Sequence, residues 1–246
     1  MLESRFRRRI LEKAFDKKSR IILAFDEHGG CDDVLGKLGQ VCETLREHLA
    51  GIKIGVPTML STGLSSLRKV VEGFSGEYVF IADIKMADIS HTNSLMAKLL
   101  YETGFDAVIS HGFIGYEEGL EGLFKEAERL GRGVVIVVSM SHTGSRKFID
   151  PSLEKLVKLA LTHGADGVVA PATRIRVVRK VRKIAGGRLL ILTPGVGVQG
   201  APYGAGLSAG ADFEIIGRSI MGSPNPVEKA LEVRREHDRI LAHRAC

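Results

Sequence analysis

Asp83, Lys85 and Asp88 fall within six positions, directly after the apolar run Tyr78-Val79-Phe80-Ile81. In an extended strand, side chains two apart share a face. Asp83 and Lys85 are therefore expected side by side, with Asp88 just beyond, where the strand gives way to a loop or helix start. An ion buried alone is strongly disfavoured, so this group needs solvent, a mutual network or a ligand. A lysine held cationic between two carboxylates is a preorganised proton donor. The chemistry on offer is proton transfer to a centre where charge develops.

Elements able to position such a set recur along the chain. Short β-rich runs occur at 20–26, 51–55, 78–85, 106–113, 133–140, 167–173, 188–195 and 213–220. Between them lie helically spaced segments at 32–49, 61–71, 94–101, 117–130, 153–161 and 174–184. Near-continuously apolar strands alternating with amphipathic helices signal parallel βα units, and eight of them predict an α/β fold of the (β/α)8 TIM-barrel type. A doubly wound open sheet is the alternative, but no linker or low-complexity segment divides the chain. The length of 246 residues suits one barrel domain over residues 1–246, although two smaller domains would also fit. The segment Arg5 to Arg9, with Lys13, Lys17 and Lys18, is expected to form an extra N-terminal helix with a solvated basic face.

Barrel active sites lie at the C-terminal strand ends. Those ends carry Asp26, Lys53, Asp83 with Lys85, His111, Ser141, the run 171–173, the run Pro194 to Gln199, and Arg218. Lys53, Asp83, Lys85 and Asp88 then form an alternating set in which each charge stabilises the next. A structural ion-pair network at the barrel mouth is the plainer reading of the same residues. The loops after strands seven and eight often bind phosphate in barrels. Six glycines between Gly195 and Gly210, with Gln199, Gly217 and Arg218, suit that role, because an arginine fork pairs with phosphate oxygens.

A metal is not expected, since Lys53 and Lys85 sit among the acids that would ligate it. His111 reads as a hydrogen-bonded histidine near the end of strand four. His28, His48, His91, His163, His237 and His243 read as surface or loop positions. G-x-S-x-G, the phosphate-loop signature G-x-x-x-x-G-K-[ST] and a G-x-G-x-x-G after the first strand are all missing, so neither a serine nucleophile nor a dinucleotide cofactor is suggested. Cys31, Cys42 and Cys246 offer neither a disulfide framework nor C-x-x-C spacing, in keeping with a reducing compartment. No apolar run reaches membrane-spanning length, so a cytoplasmic protein is expected. The net charge of +6 admits an acidic partner, but no nucleic acid is expected at the Arg5–Arg9 cluster. The scarcity of Asn and Gln points weakly to a thermophilic source.

Taken in order, Leu23 to Asp26, Lys53 to Gly55, the D-x-K-x-x-D of Asp83, Lys85 and Asp88, Met140 to His142, the P-G-V-G-x-Q-G of Pro194 to Gly200, and Ile216 to Ile220 resemble orotidine 5′-phosphate decarboxylase in its shorter archaeal form. The resemblance spans almost the whole chain. D-x-K-x-x-D alone marks a wider group that includes magnesium-dependent sugar-phosphate enzymes, but those place an acid where Lys53 stands. The resemblance implies conversion of orotidine 5′-phosphate to uridine 5′-phosphate and CO2, without metal or organic cofactor. It implies that Lys85 protonates C6, Asp83 faces the substrate carboxylate, Lys53 holds Asp83 and contacts the ribose, and Asp26 binds ribose hydroxyls. Ser141 would meet the pyrimidine, while Gln199, Gly217 and Arg218, on the loops that include Pro194 and Gly195, would hold the phosphate. Asp88, Ile89 and Thr92 would complete the site of a second subunit, making a homodimer. Ser90 and Thr143 stand where the family usually has proline, and Ala201-Pro202-Tyr203 where it has a second glycine. A magnesium-dependent sugar-phosphate enzyme and a non-catalytic phosphate-ligand or nucleic-acid binder remain the alternatives.

Overall fold

The computed structural model describes residues 5–244; Cys246 lies outside them. Eight parallel strands close on themselves in sequence order, β1 (Ile21–Phe25), β2 (Gly51–Gly55), β3 (Val79–Met86), β4 (Ala107–His111), β5 (Gly133–Val137), β6 (Gly167–Val169), β7 (Leu190–Pro194) and β8 (Phe213–Ile216), with β8 pairing back onto β1. The expected TIM barrel is thus observed. Around it run α1 (Arg5–Asp16), α2 (Cys31–Thr44), α3 (Val56–Gly73), α4 (Ser90–Glu102), α5 (Glu121–Leu130), α6 (Thr143–Phe148), α7 (Leu153–Thr162), α8 (Ile175–Ala185), α9 (Ala205–Ser208), α10 (Arg218–Met221) and α11 (Pro226–Arg244). No helix among the described residues is long and apolar enough to cross a membrane.

Strand alternation divides the apolar residues into two cores. Leu23, Ile52, Ile54 and Phe80 face the helices, whereas Ile22, Val79, Ile81, Ile109, Val135, Val137, Leu192 and Phe213 fill the barrel interior. The interior is plugged at its N-terminal end by Phe6, Ile10 and Ala14 of α1, which lie on one helical stripe. Phe6 occupies the space left by Gly133, where an added Cβ would stand 2.5 Å from the ring.

The basic cluster of α1 and the residues just after it is solvated only in part: Arg5, Arg8 and Lys18 are exposed as expected, but others are not. Arg9 pairs with buried Asp106 and donates to the Tyr78 carbonyl, Arg7 donates to the carbonyls of Gly187 and Arg188, and Lys17 donates to that of Glu77. These cations satisfy carbonyls left open where the loops enter β3 and β7, a demand that a charge count does not reveal. Burial lowers the Lys17 ammonium to about 8, aided by Lys13.

Other boundaries moved. α3 begins directly after β2, five residues earlier than expected, and breaks at Gly63, whose φ is 68°. β8 stops at Ile216, so Gly217 caps and Arg218 opens α10 rather than lying in the strand. Ser90 and Thr143 each open a helix, a position that suits proline because the first helical N–H has no partner to lose. Either residue type therefore starts the same helix.

Candidate active site

At the C-terminal ends of the strands lies a cavity of about 490 Å³ lined by Asp26, Lys53, Asp83, Lys85, Ser141, Pro194, Gly195, Gln199, Gly217 and Arg218, with Ile109, Val137, Val169 and Ile215 as its apolar floor. Ten of the thirteen residues singled out in the sequence are therefore brought together. Asp88, Ile89 and Thr92 do not line it; they lie at the start of α4, with Ile89 65% exposed.

The charged residues form a continuous chain. Lys53 Nζ lies 3.0 Å from Asp26 Oδ1 and 3.1 Å from Asp83 Oδ2, and Lys85 Nζ lies 2.9 Å from Asp83 Oδ1. The register sets Lys53 beside Ala24 and Ile81, and Gly55 beside Asp83. Gly55 is required here: a Cβ on it would fall 1.7 Å from Asp26 Oδ1. Burial alone would lower Lys53, but the carboxylates of Asp83 and Asp26 outweigh it and raise the ammonium above its ordinary value. Asp83 shows the converse: burial would raise it, and the cations Lys53 and Lys85 pull it below the usual carboxylate range. Both groups stay ionised at neutral pH, and each is the reason for the other's charge.

Asp83 and Lys85 do share a side, but not through regular pleating. Between the pairs Ala82↔Val108 and Met86↔Ser110, four positions of β3 advance against two of β4, and Lys85 takes a left-handed backbone with φ 48°. For a residue with a Cβ that conformation costs about 1 kcal/mol or more. The irregularity turns Lys85 back toward Asp83 over the cavity.

Opposite this chain stand the groups suited to an anion. Arg218 is exposed at the rim with no acidic partner among the described residues. Ser141 Oγ donates to Gln199 Oε1 at 3.2 Å, joining the β5 and β7 loops across the mouth. Gly197, with φ 75°, allows the β7 loop to pass over Ser219, and a Cβ there would meet Ser219 Oγ at 2.0 Å. Ala201 is buried and bridges to Val196, and Tyr203 packs on the core, so the replacement of the family's second glycine anchors the base of this loop.

Several supporting residues were not singled out from sequence. Arg174 donates to the Met140 carbonyl and pairs with Asp150, while Asp150 Oδ1 accepts from Ser139 and Ser145 at 2.8 and 2.9 Å. This clamp fixes the backbone that presents Ser141. Asn93, fully buried, donates to the Asp88 carbonyl and accepts from the Asp88 N–H, which sets the loop carrying Asp88 and Ile89. Glu214 is fully buried on the outer side of β8; its carboxylate accepts from the N–H groups of Gly204 (2.9 Å) and Gly206 (2.8 Å) and contacts His237 Nε2 at 2.8 Å. It ties the end of the β7 loop to α11. His237 is buried rather than superficial, and its spacing from Ala230 and Val233 on one apolar helix face would have signalled this. His111 also departs from expectation: its Nδ1 is buried without a hydrogen-bond partner, its ring lies 4.7 Å from that of Phe113, and burial together with Lys85 lowers its basicity.

A second concave surface outside the barrel is apolar, formed by Val56, Leu60, Leu64, Met96 and Leu99 beside Asp88. Leu60 is 81% exposed and Leu99 55%.

The model of the orotidine 5′-phosphate decarboxylase / HUMPS family matches residues 19–233. Orotidine 5′-phosphate decarboxylase of Methanosarcina mazei is 42% identical over 197 residues, covering 80% of this chain and 87% of that protein. That of Aeropyrum pernix is 43% identical over 211 residues, covering 85% and 84%. Among solved structures, orotidine 5′-monophosphate decarboxylase from Methanocaldococcus jannaschii complexed with the inhibitor BMP is 32% identical with a TM-score of 0.78, over 88% of this chain and 97% of that one. The counterpart from Sulfolobus solfataricus is 28% identical with a TM-score of 0.79, over 91% and 99%.

Proposed function

The chain belongs to the orotidine 5′-phosphate decarboxylase / HUMPS family, and from that premise we propose that it is a carboxy-lyase converting orotidine 5′-phosphate to uridine 5′-phosphate in pyrimidine synthesis, without metal or cofactor. The observation that carries this reading is the Asp26–Lys53–Asp83–Lys85 chain facing Arg218 across one cavity. In this reading Arg218, Gln199 and Gly217 hold the phosphate, and Asp26 and Lys53 the ribose. Pro194 and Gly195 shape the β7 loop, and Ser141 meets the pyrimidine.

Cleavage of the C6–carboxylate bond leaves its electron pair on C6 and releases CO2. The carbanion lies in the ring plane with no imine to delocalise it, so electrostatics and a near proton must stabilise it. The Lys85 ammonium supplies that proton and is re-protonated by solvent afterwards. Binding energy from the phosphate, remote from C6, contributes to holding the reacting carboxylate beside Asp83. The magnesium-dependent sugar-phosphate reading is less well supported, because each carboxylate of the chain is already matched by a lysine.

The subunit arrangement belongs to the same proposal. Asp88, Ile89 and Thr92 lie outside their own cavity, and Asp88 lines the apolar surface of α3 and α4, so in this reading pairing through that surface in a homodimer brings this segment to the partner's site. Loss of the ultraviolet absorbance of orotidine 5′-phosphate, followed with excess chelator, tests the chemistry. Rapid turnover is expected; turnover that collapses with chelator and returns with magnesium would overturn the metal-free mechanism.

A further inference from the structure

The net charge of the chain is not spread over its surface. Residues 143–188 hold eleven lysines and arginines against three acids, whereas the rest of the chain holds 24 against 26. Two of those three acids are occupied internally: Asp166 accepts from the Val134 N–H, and Asp150 belongs to the Arg174 clamp. The third, Glu154, pairs with Lys180 at 2.7 Å and joins α7 to α8.

α8 differs from the other long helices. α5 pairs Glu121 with Lys125 and Glu126 with Arg129, and α11 pairs Lys229 with Glu232 and Glu236 with Arg239. α8 holds five cations and no acid. Arg176, Arg179, Lys180 and Lys183 follow helical spacing on its exposed side, and Lys155 and Lys158 are exposed on neighbouring α7. Lys180 is matched by Glu154 and Arg182 by Asp212, which leaves Arg176, Arg179 and Lys183 exposed with no acidic partner among the described residues. Arg179 and Lys183 are a like-charge pair four residues apart, and Arg176 sits in the first turn, where the helix dipole disfavours a cation. These three unmatched cations repel one another along one helix face, and a polyanion laid along it would offset that repulsion.

We propose that the exposed face of α7 and α8 binds the phosphate backbone of single-stranded RNA without sequence preference. A lipid surface is a poorer fit, because Val178, Val181 and Ala185, the apolar side of α8, are buried against the barrel and leave nothing to insert. The face is also free of the cavity and of the apolar surface: α8 packs outside β6 and β7, half a turn round the closed sheet from β2 and β3. It therefore remains open whether or not the chain pairs.

The test is fluorescence anisotropy of a labelled mixed-sequence RNA of about 20 nucleotides at 50 and 200 mM salt. If Arg176, Arg179, Lys183 and Lys158 each neutralise one phosphate, affinity falls about 50-fold over that range. The variant Arg176→Gln/Arg179→Gln/Lys183→Gln should bind at least about 10-fold more weakly at low salt, with a salt slope near one quarter of the parent's, while turnover in the cavity is unchanged. Lys155→Gln/Lys158→Gln, on the other helix, provides a separate variant and should also weaken binding. The proposal is overturned if RNA fails to bind the parent at low salt, if neither variant weakens it, or if anionic vesicles or polyglutamate bind where RNA does not.

Discussion

Lys85 carries two demands at once, and substitution can separate them. Its ammonium is the proposed proton donor, while its backbone holds φ at 48°. Lys85→Ala and Lys85→Gly both remove the ammonium and its contact with Asp83, so both should lower kcat by at least about 10⁴-fold. They differ only in the backbone. Alanine keeps a Cβ in a left-handed conformation that costs roughly 1–2 kcal/mol. Glycine escapes that cost but gives up about 0.4–1 kcal/mol through its freer unfolded chain. Taking the middle of each range, the balance leaves Lys85→Gly more stable than Lys85→Ala by roughly 0.8 kcal/mol. Because the lost ion pair is common to both, it cancels in the comparison. Chemical denaturation followed by circular dichroism, beside the absorbance assay, reads both quantities on the same preparations. An alanine variant as stable as the glycine variant would refute the strained backbone, and near-normal turnover in either would refute Lys85 as donor.

Mixing inactive Lys85→Ala chains with inactive Asp88→Ala chains should regenerate activity, since one site of each heterodimer then has both residues; no recovery despite demonstrated subunit exchange would place Asp88 in its own chain's site. Glu214→Gln keeps the shape but replaces one carboxylate oxygen, which faces an N–H of the Gly204–Gly206 turn or His237, with a donor. Affinity for uridine 5′-phosphate should drop about 10-fold, as expected from losing one charge-assisted hydrogen bond, with little change for uridine; equal losses for both ligands would show a general structural effect. Lys17 is depressed to about 8 in the folded protein, so below that pH its buried charge opposes folding, and the unfolded chain binds more protons between there and about 10.5. Its contribution to stability therefore rises with pH across that window, and Lys17→Met should flatten the rise in denaturation midpoints measured at closely spaced pH values. An unchanged pH profile would count against the burial of that charge.

The strands were legible because each is a short apolar run bounded by turn residues, and the cavity residues because charges stand out at the ends of such runs. What escaped depends on contacts between distant segments. Nothing local shows that β3 leaves its regular pleat, since the register shift is defined against β4. The cations of α1 looked solvated because their partners are carbonyls, present at every residue and invisible in a composition. Glu214 did leave a trace, as the one acid inside an otherwise apolar strand, and Asn93 another, as one of two asparagines in the chain.

The plug formed by α1 has a consequence for biosynthesis. The berth of this helix includes Gly133 at the start of β5 and the carbonyl of Arg188, 181 residues further along the chain than Arg7. At translation rates of about 5–20 residues per second, the helix is made roughly 10–35 s before the last part of its seat. Through that interval Phe6 and Ile10 have no barrel interior to enter. The helix made first therefore has its full seat only once most of the chain has been made.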